Sequence, residues 1–583
     1  MEQQQLFVLE LPLKVEIWQA DILNVRYELM RKMYNDARRI LSHHFHYHVE
    51  KRKEFRSCKT NEEKSKFLKS HPFHIKGITD KQNNPMEITF SKYGIGGFVA
   101  QLVKQNVGAG KTYKDFGINS SYADCVASNL WSAWEKRLFD NKCKRVAFKR
   151  KGEFNTISVR EKNGYFTGFT LSIDKKVINI NINGKTGSKS QTITLPIEYN
   201  SEYEKTALKN NDIRVISIVR KVIRGKYKYY LQLTINGSIP TKGRTLGQGK
   251  VGIDIGPSTI AIASNTKVCI SKLASECDNI EKIVGKLQRK MDRSRRTTNP
   301  QNFTEEGNIK RIIRAKGERR IWHVSNRYIR LQKSKAELQR KQAAIRRRSH
   351  ILKANELLSL GNTFIVENNP IKQWSTRAKE TKISEKTGKY QRKSRYGHSI
   401  ANHAPSMFIT ILTNKVHALG GKIFEVDLKN AASRYDFTNG EFSEHKLNER
   451  TVTLSNGNKH QRDIISAFNL QHIDLLSTQV KQYDTKQMWS DYPFFCELEK
   501  TEIQRHLEHE NNLSKSTIGT TINLKEVLSS LADAKSMPMG GWSANANGIE
   551  TGKKARVHVV YESNDLVSGV QKASNLHYNK DDT

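Results

Sequence analysis

Cysteine is scarce in this chain. There are six in 583 residues, at positions 58, 125, 143, 269, 277 and 496, and none forms a C-x-x-C pair. That scatter argues against a disulfide framework and fits a reduced compartment. Long apolar runs are missing too: no stretch reaches the roughly 18 residues of a membrane span. The opening Met1-Glu2-Gln3-Gln4-Gln5 lacks the basic and apolar segments of a secretory signal, so a cytoplasmic setting is expected. Acidic residues are few, 58 against 99 Lys+Arg, leaving a formal charge of +41. A compact body so charged repels itself unless a polyanion covers it, and nucleic acid is the natural candidate. A basic membrane-surface protein would instead carry an amphipathic anchor helix. With 37% hydrophobic residues the chain can build cores, and its length allows about four units of roughly 150 residues.

The pattern changes along the chain. Leu6 to Val15 alternates as a short strand, and residues 16–140 read as basic and helical. Trp131 and Trp134 share one helix face and are expected in a core rather than stacked on bases. From about 144 to 240 the chain is β-rich. Tyr227, Tyr229, Leu231, Leu233 and Ile235 alternate onto one face, and Arg224-Gly225 closes a hairpin with Ile213–Ile223. Thr241 to Gly249, with its glycines, reads as a linker. Val251 to Ser264 is a second hairpin, turned at Gly256-Pro257-Ser258; Val251, Ile253 and Ile255 face one way and Asp254 the other. Residues 277–360 read as helical, interrupted near Asn299-Pro300. Tyr328, Leu331, Leu338, Ile345 and Leu352 follow heptad-like spacing, interrupted by Lys335, Gln342 and Ser349, and Arg340, Lys341, Arg346, Arg347 and Arg348 are expected on the outer face. After about 475 the positive excess ends, and residues 476–583 read as a tail, poorly ordered toward Gly540–Gly548. Gly108-Ala109-Gly110-Lys111-Thr112 has the look of a phosphate loop, but the position that needs the first glycine is Gln105, so a glycine-rich turn is expected.

Three carboxylates stand out. Asp254 lies between apolar neighbours on a buried-looking strand, and Glu367 follows Phe364-Ile365-Val366 just before the breaker Asn368-Asn369-Pro370. A buried, unpaired carboxylate costs several kcal/mol and calls for a cation or donors. Asp463 opens an apolar helical segment, where an aspartate alone is ordinarily a cap. As a set they suit phosphodiester hydrolysis, in which two Mg²⁺ ions about 4 Å apart activate water and steady the leaving oxygen. Mg²⁺ takes oxygen ligands and keeps several waters, so few carboxylates suffice.

With these residues in place, the chain resembles the transposon-encoded TnpB nucleases and the compact type V CRISPR effectors. The resemblance spans roughly Arg214 to His472. Lys221-Val222-Ile223-Arg224-Gly225-Lys226-Tyr227 looks like the hairpin before the nuclease domain, and Gly252-Ile253-Asp254-Ile255-Gly256 like the first RuvC motif. The basic run Lys286 to Arg296 is similar to the helix that follows it. Val366-Glu367-Asn368 looks like the second motif. Gly397 to Pro405, with Gly420-Gly421, resembles the segment between motifs two and three, and Arg462-Asp463 through Ala467-Phe468-Asn469 resembles the third, usually R-D-x-x-A-A-x-N. Each motif is weak alone; their order is the stronger signal. One departure is clear. Family members carry two C-x-x-C-G zinc knuckles before the last motif. Here the strings are Asp436-Phe437-Thr438-Asn439-Gly440 and Thr453-Leu454-Ser455-Asn456-Gly457, with both glycines kept and all four cysteines gone. Neutral Asn and Thr do not replace thiolates, so the loops are expected to persist without zinc.

The resemblance implies a multidomain α/β protein with an RNase H-like (RuvC) nuclease domain, a β-barrel-like wedge domain and a helical recognition domain. The implied boundaries are 1–15 and 141–245 for the wedge, 16–140 for recognition, 246–428 and 459–475 for the nuclease with a helical arm at 277–360, 429–458 for a degenerate zinc-ribbon-like insert, and 476–583 for the tail. It implies an RNA-guided DNA endonuclease whose guide RNA pairs with one strand of double-stranded DNA beside a short flanking motif. Asp254 would touch both Mg²⁺ ions, with Glu367 and Asp463 each completing one shell and Mn²⁺ an acceptable substitute. Arg289, Arg293, Arg295, Arg296, Arg346 and Arg347 are the expected phosphate contacts. The length, greater than that of a minimal TnpB, leans toward a CRISPR-like or intermediate member, and the resemblance implies a transposon-associated protein near the bacterial nucleoid. Rival readings are a nuclease-inactive RNA-guided repressor, an RNase H-fold transposase or resolvase working without RNA, and a structural RNA-binding protein.

Overall fold

The computed structural model describes residues 6–532 apart from 81, 105, 109, 141–142, 183–190, 210–211, 238, 242, 306, 311–319, 377–395, 445–448, 476–481 and 509–520. The chain divides into two compact units between Pro240 and Thr241. Among the described residues no helix is long and apolar enough to cross a membrane.

In the first unit, Leu6–Leu13, Lys226–Asn236, Asp212–Ile223 and Thr156–Arg160 form a four-stranded sheet. The hairpin turn is Arg224 and Gly225, at φ 52° and 77°, the left-handed pair that a two-residue turn requires. Tyr229, Leu231, Leu233 and Ile235 are buried as expected, but Tyr227 is exposed at the strand's start, its ring 4.5 Å from the Arg220 guanidinium. A second sheet, Phe169–Ser172, Val177–Asn181 and Thr192–Pro196, meets the first at the bridge Leu13↔Ile197. No ladder among the described residues closes these strands. The barrel-like wedge is thus corrected to two small open sheets. The helices supply the cover that closure would have given: helix Ile17–His44 lies in the same hydrophobic core, with Tyr27 donating to the Ile218 carbonyl at 2.9 Å and Arg220 donating to Asn24 Oδ1 at 2.8 Å. Trp134 is buried between Phe45 and Phe90, in the core role expected of it. Gly108 and Lys111 pair across a short hairpin rather than cradling a phosphate.

The second unit is built on a five-stranded sheet. Its spatial order is Val268–Lys272, Thr259–Ser264, Lys250–Ile255, Thr363–Glu367, Lys422–Val426. The first three strands are antiparallel, and the last three run parallel. Alternation sorts the side chains. Val251, Ile253, Ile255, Phe364 and Val366 pack against Leu357 and Leu358 of helix Asn326–Leu358 and Phe408, Leu412 and Val416 of helix Pro405–Ala418. The opposite face meets helix Arg462–Gln471 through Ala261, Ala263, Ile464, Ala467 and Phe468.

The arm is an antiparallel helical pair, Cys277–Thr298 and Asn326–Leu358, tied by Cys277 to Gln342 and Ser294 to Ser325. The break is wider than the point expected at Asn299-Pro300. Asn299 is buried and bonds the carbonyls of Arg295 and His323 at 3.0 and 2.9 Å, stapling the loop's two ends. Leu352 falls off the heptad seam and is 57% exposed.

Helices Thr485–Glu508 and Thr521–Ala532 correct the expected tail. Helix Thr485–Glu508 buries Met488, Tyr492, Phe495, Cys496 and Ile503 in the sheet's second core, joined by Leu524, Val527 and Leu531 of helix Thr521–Ala532. The end of the charge surplus marked a change of surface, not the end of the fold. Gly540–Gly548 lies outside the described residues. The long helix also covers a sheet edge, where an open strand invites foreign pairing: Glu502 accepts from the Ile270 N–H at 2.9 Å, and His506 Nε2 donates to the Ile270 carbonyl at 3.0 Å. Burial alone would raise the Glu502 pKa, but hydrogen bonds from His506, Arg505 and the Ile270 amide win, taking it to about 2. A depressed carboxylate contributes stability above its unfolded pKa and loses it as pH falls toward the folded value, here from about 4.5 toward 2. Glu502→Gln is expected to cost up to about 3 kcal/mol at pH 7, with the gap to wild type narrowing below about pH 4.5 in urea unfolding. An unchanged gap across that window would count against the ion pairing.

The two cysteine-free knuckles keep their hairpins, Tyr435–Asp436 with Glu441–Phe442 and Thr451–Thr453 with Lys459–Gln461. Gly440 and Gly457 take the left-handed turn positions, at φ 77° and 86°. Asp436 binds the two hairpins together. Its Oδ1 accepts from Thr438 N and Oγ1 at 2.9 and 2.6 Å, and its Oδ2 from Ser455 N and Oγ at 2.7 and 2.8 Å.

Candidate active site

Asp254 and Glu367 sit on neighbouring parallel strands. Ile253 pairs with Val366, so the next residue on each strand is a carboxylate at the same level. Asp254 shares its face with Gly252, and that glycine decides what can approach. A Cβ there would lie 2.0 Å from the Ala467 carbonyl oxygen and 2.5 Å from the Gln471 nitrogen. Helix Arg462–Gln471 therefore rests directly on the strand's backbone, over the small residues Ala261 and Ala263, and carries Asp463 toward Asp254.

The electrostatics report this convergence. The Asp254 carboxyl is held well above the usual carboxylate range, first by burial and then by the charges of Asp463 and Glu367; Ser466 and Arg462 oppose the shift. Burial pushes Glu367 up to about 7, offset in part by the Ala432 backbone amide. Asp463 is engaged by arginines. Arg462 donates to its Oδ1 through Nη2 at 2.8 Å and Nε at 3.1 Å, and Arg450 to its Oδ2 at 3.4 Å. Among the described residues no three His, Cys, Asp or Glu side chains are gathered tightly enough to hold an ion between them. The donor chemistry fits Mg²⁺ nonetheless: hard carboxylate oxygens, and a desolvated Asp254 carboxyl whose ionised form a divalent cation would favour.

Several neighbours were not legible as site residues. Ser466 stands where the third motif usually has alanine; its hydroxyl is buried without a full hydrogen bond and lies beside Asp254. Its spacing three residues after Asp463, on the same helix face, was the available signal. Asn469 is fully buried and donates to the carbonyls of Ala432 and Tyr435, both at 2.8 Å, fixing the turn whose amide serves Glu367. Tyr483 donates to the Asn430 carbonyl at 2.7 Å and stacks on Tyr435 at 4.0 Å. Its hydroxyl is pushed up by burial and then by the Glu367 charge; no sequence signal distinguished it.

The basic candidates separate. Arg289, Arg293 and Arg296 are exposed on helix Cys277–Thr298, and Arg347 is exposed on the second arm helix. Arg295 is spent in part on Trp322, with its guanidinium 3.8 Å from the ring centroid. Arg346 is turned inward: it donates to the Ala401 carbonyl at 2.7 Å, and its Nε is buried. Placing Arg346 on the outer face is thus corrected, because that helix turn packs on the segment at Ala401–Asn402.

No family model and no curated protein matches the chain. Solved structures do. One is a cryo-EM structure of a Cas12f1–sgRNA–target DNA complex, at 14% identity and TM-score 0.41, covering 80% of this chain and 99% of that one. Another is a cryo-EM structure of a CRISPR-Cas12f ternary complex, at 15% identity and TM-score 0.27, covering 79% and 83%. At these scores the likeness carries no weight beside the geometry of the residues themselves.

Proposed function

We propose that this chain is an RNA-guided, Mg²⁺-dependent DNA endonuclease with one RuvC-like site, of the compact type V kind. The observation that carries it is that Asp254, Glu367 and Asp463, spread over more than 200 positions of sequence, lie near enough at one end of a 3-2-1-4-5 sheet for the charges of Asp463 and Glu367 to act on the Asp254 carboxyl. That strand order, with acids on the first and fourth strands and on a closing helix, is the RNase H-like arrangement. The +41 charge supports a polyanionic partner. Guide RNA and target DNA, partners of the kind present in the Cas12f1 complex, are the partners proposed here.

Mg²⁺ in such a site supplies an activated water and stabilises the leaving oxygen. Asp254 and Glu367 are the residues to hold it, and Asp463 completes the set from the helix. Arg462 and Arg450 orient Asp463. The apolar strand face behind Asp254 keeps bulk water from one side of the site.

The deciding experiment is to sequence the RNA that copurifies with the protein, then assay matched double-stranded DNA with Mg²⁺. RNA-dependent cutting supports the reading. Tight binding without cutting would make the protein a repressor, and cutting that survives RNase treatment would favour a transposase or resolvase.

The arm provides a second prediction. Replacing Arg289, Arg293 and Arg296 together by glutamine is expected to weaken nucleic-acid binding and to flatten the log–log salt slope by about two to three units, near one per phosphate contact. Equilibrium binding from 50 to 300 mM salt checks this; an unchanged slope removes these residues from the phosphate set.

A further inference from the structure

Helix Thr485–Glu508 carries a carboxylate that the proposed chemistry does not use. Glu499 is completely buried, as is His460, and Gln461 is 1% exposed. An ionised group in that position is held only by its partners. Glu499 Oε1 accepts from the Gln461 backbone N–H at 2.8 Å, and Oε2 bonds His460 Nδ1 at 2.6 Å. The other ring nitrogen, Nε2, meets the Tyr492 hydroxyl at 2.9 Å, and that hydroxyl accepts from Asn458 Nδ2 at 2.8 Å. A carboxylate only accepts, so Nδ1 carries the proton, Nε2 accepts from Tyr492, and each of the four donors just named has an acceptor.

The place this network grips matters. Gln461 is the N-cap of the helix that carries Asp463, and its side-chain Oε1 accepts from the Ile464 N–H at 2.8 Å. Its backbone is thus pinned from one side by Glu499, while its side chain pins the first helical turn from the other. Asp463 lies two residues on, inside the turn so fixed. We infer that Glu499 is a positioning residue for Asp463: it sets where the Asp463 helix begins, and so where that carboxylate stands relative to Asp254. This rests on the nuclease reading for its consequence in cleavage, but not for its consequence in structure. A misplacement of about 1 Å at a reacting constellation can cost on the order of 10²-fold in rate.

The test uses the full chain with its copurified RNA. Glu499→Ala is expected to lower single-turnover cleavage by about 10²-fold, to leave target affinity within about twofold, and to speed hydrogen–deuterium exchange across 461–470. Glu499→Gln keeps an acceptor for the Gln461 N–H and is expected to cleave within about threefold of wild type. Glu502→Gln, on the same helix but bonded to the far strand, is the control and should speed exchange at 461–470 less than Glu499→Ala does. Wild-type cleavage or unchanged exchange in a folded Glu499→Ala overturns the inference. So does a Glu502→Gln loss of cleavage equal to that of Glu499→Ala. If Glu499→Ala fails to fold, Glu499→Met, similar in volume and without an acceptor for Gln461, takes its place with the same expectations. If wild type cuts no matched DNA, the nuclease reading fails by itself, and the exchange measurement still decides the role of Glu499.

Discussion

Replacing Asp254 by alanine is expected to abolish DNA cleavage while leaving guide and target binding intact. Metal-assisted stabilisation is worth several kcal/mol, and each 1.36 kcal/mol is a decade in rate, so the loss should be about 10³-fold or more. Binding should survive because Asp254 lies at the bottom of the site, not on the basic arm. The same change removes a carboxyl whose ionised form burial and two neighbouring acids disfavour. Without divalent ions the variant should therefore melt no lower than wild type. Single-turnover cleavage, filter binding and thermal melting in chelator check the three parts. Cleavage retained in Asp254→Ala would sink the assignment of the site.

Gly252→Val is expected to act through the backbone. Its first carbon alone would stand 2.0 Å from the Ala467 oxygen, and the obstacle is helix backbone rather than a side chain that can swing away. Helix Arg462–Gln471 must lift off the strand, taking Asp463 with it and opening the core formed with Ala261 and Phe468. Overpacking of this kind costs about 3 kcal/mol or more. Chemical unfolding should report that loss, and cleavage should fall with it. Gly252→Ala should show the same direction, since the clash begins at Cβ. A valine variant of wild-type stability would mean that the helix is not seated on this strand.

These two positions mark how far the sequence could be read. The hairpin around Asp254, the strand ending at Glu367 and the helix opening at Asp463 were legible because alternation and helical periodicity are local properties. Gly252 was visible only as a letter in a motif; that it admits a helix onto the strand depends on a partner more than 200 residues away. The C-terminal helix was misread for a related reason. Charge balance describes surfaces, and by that measure residues beyond 475 resemble a tail. Met488, Tyr492, Phe495, Cys496 and Ile503 recur at helical spacing, which was the better guide. The barrel-like wedge was over-read: strand content was right, but closure depends on which edges meet, and helix Ile17–His44 fills that role instead. Arg346 shows the limit for single side chains, since a basic residue on an arm helix can face solvent or a neighbouring carbonyl with the same sequence around it.

The Asp436 carboxylate has one further consequence. An ionised carboxylate offers about four lone-pair directions, and here four donors from Thr438 and Ser455 take them. The two hairpins that precede the Asp463 helix are thus latched by groups the ribosome itself installs, complete as soon as the polypeptide folds. Such a latch has no loading step and nothing for a chelator to strip.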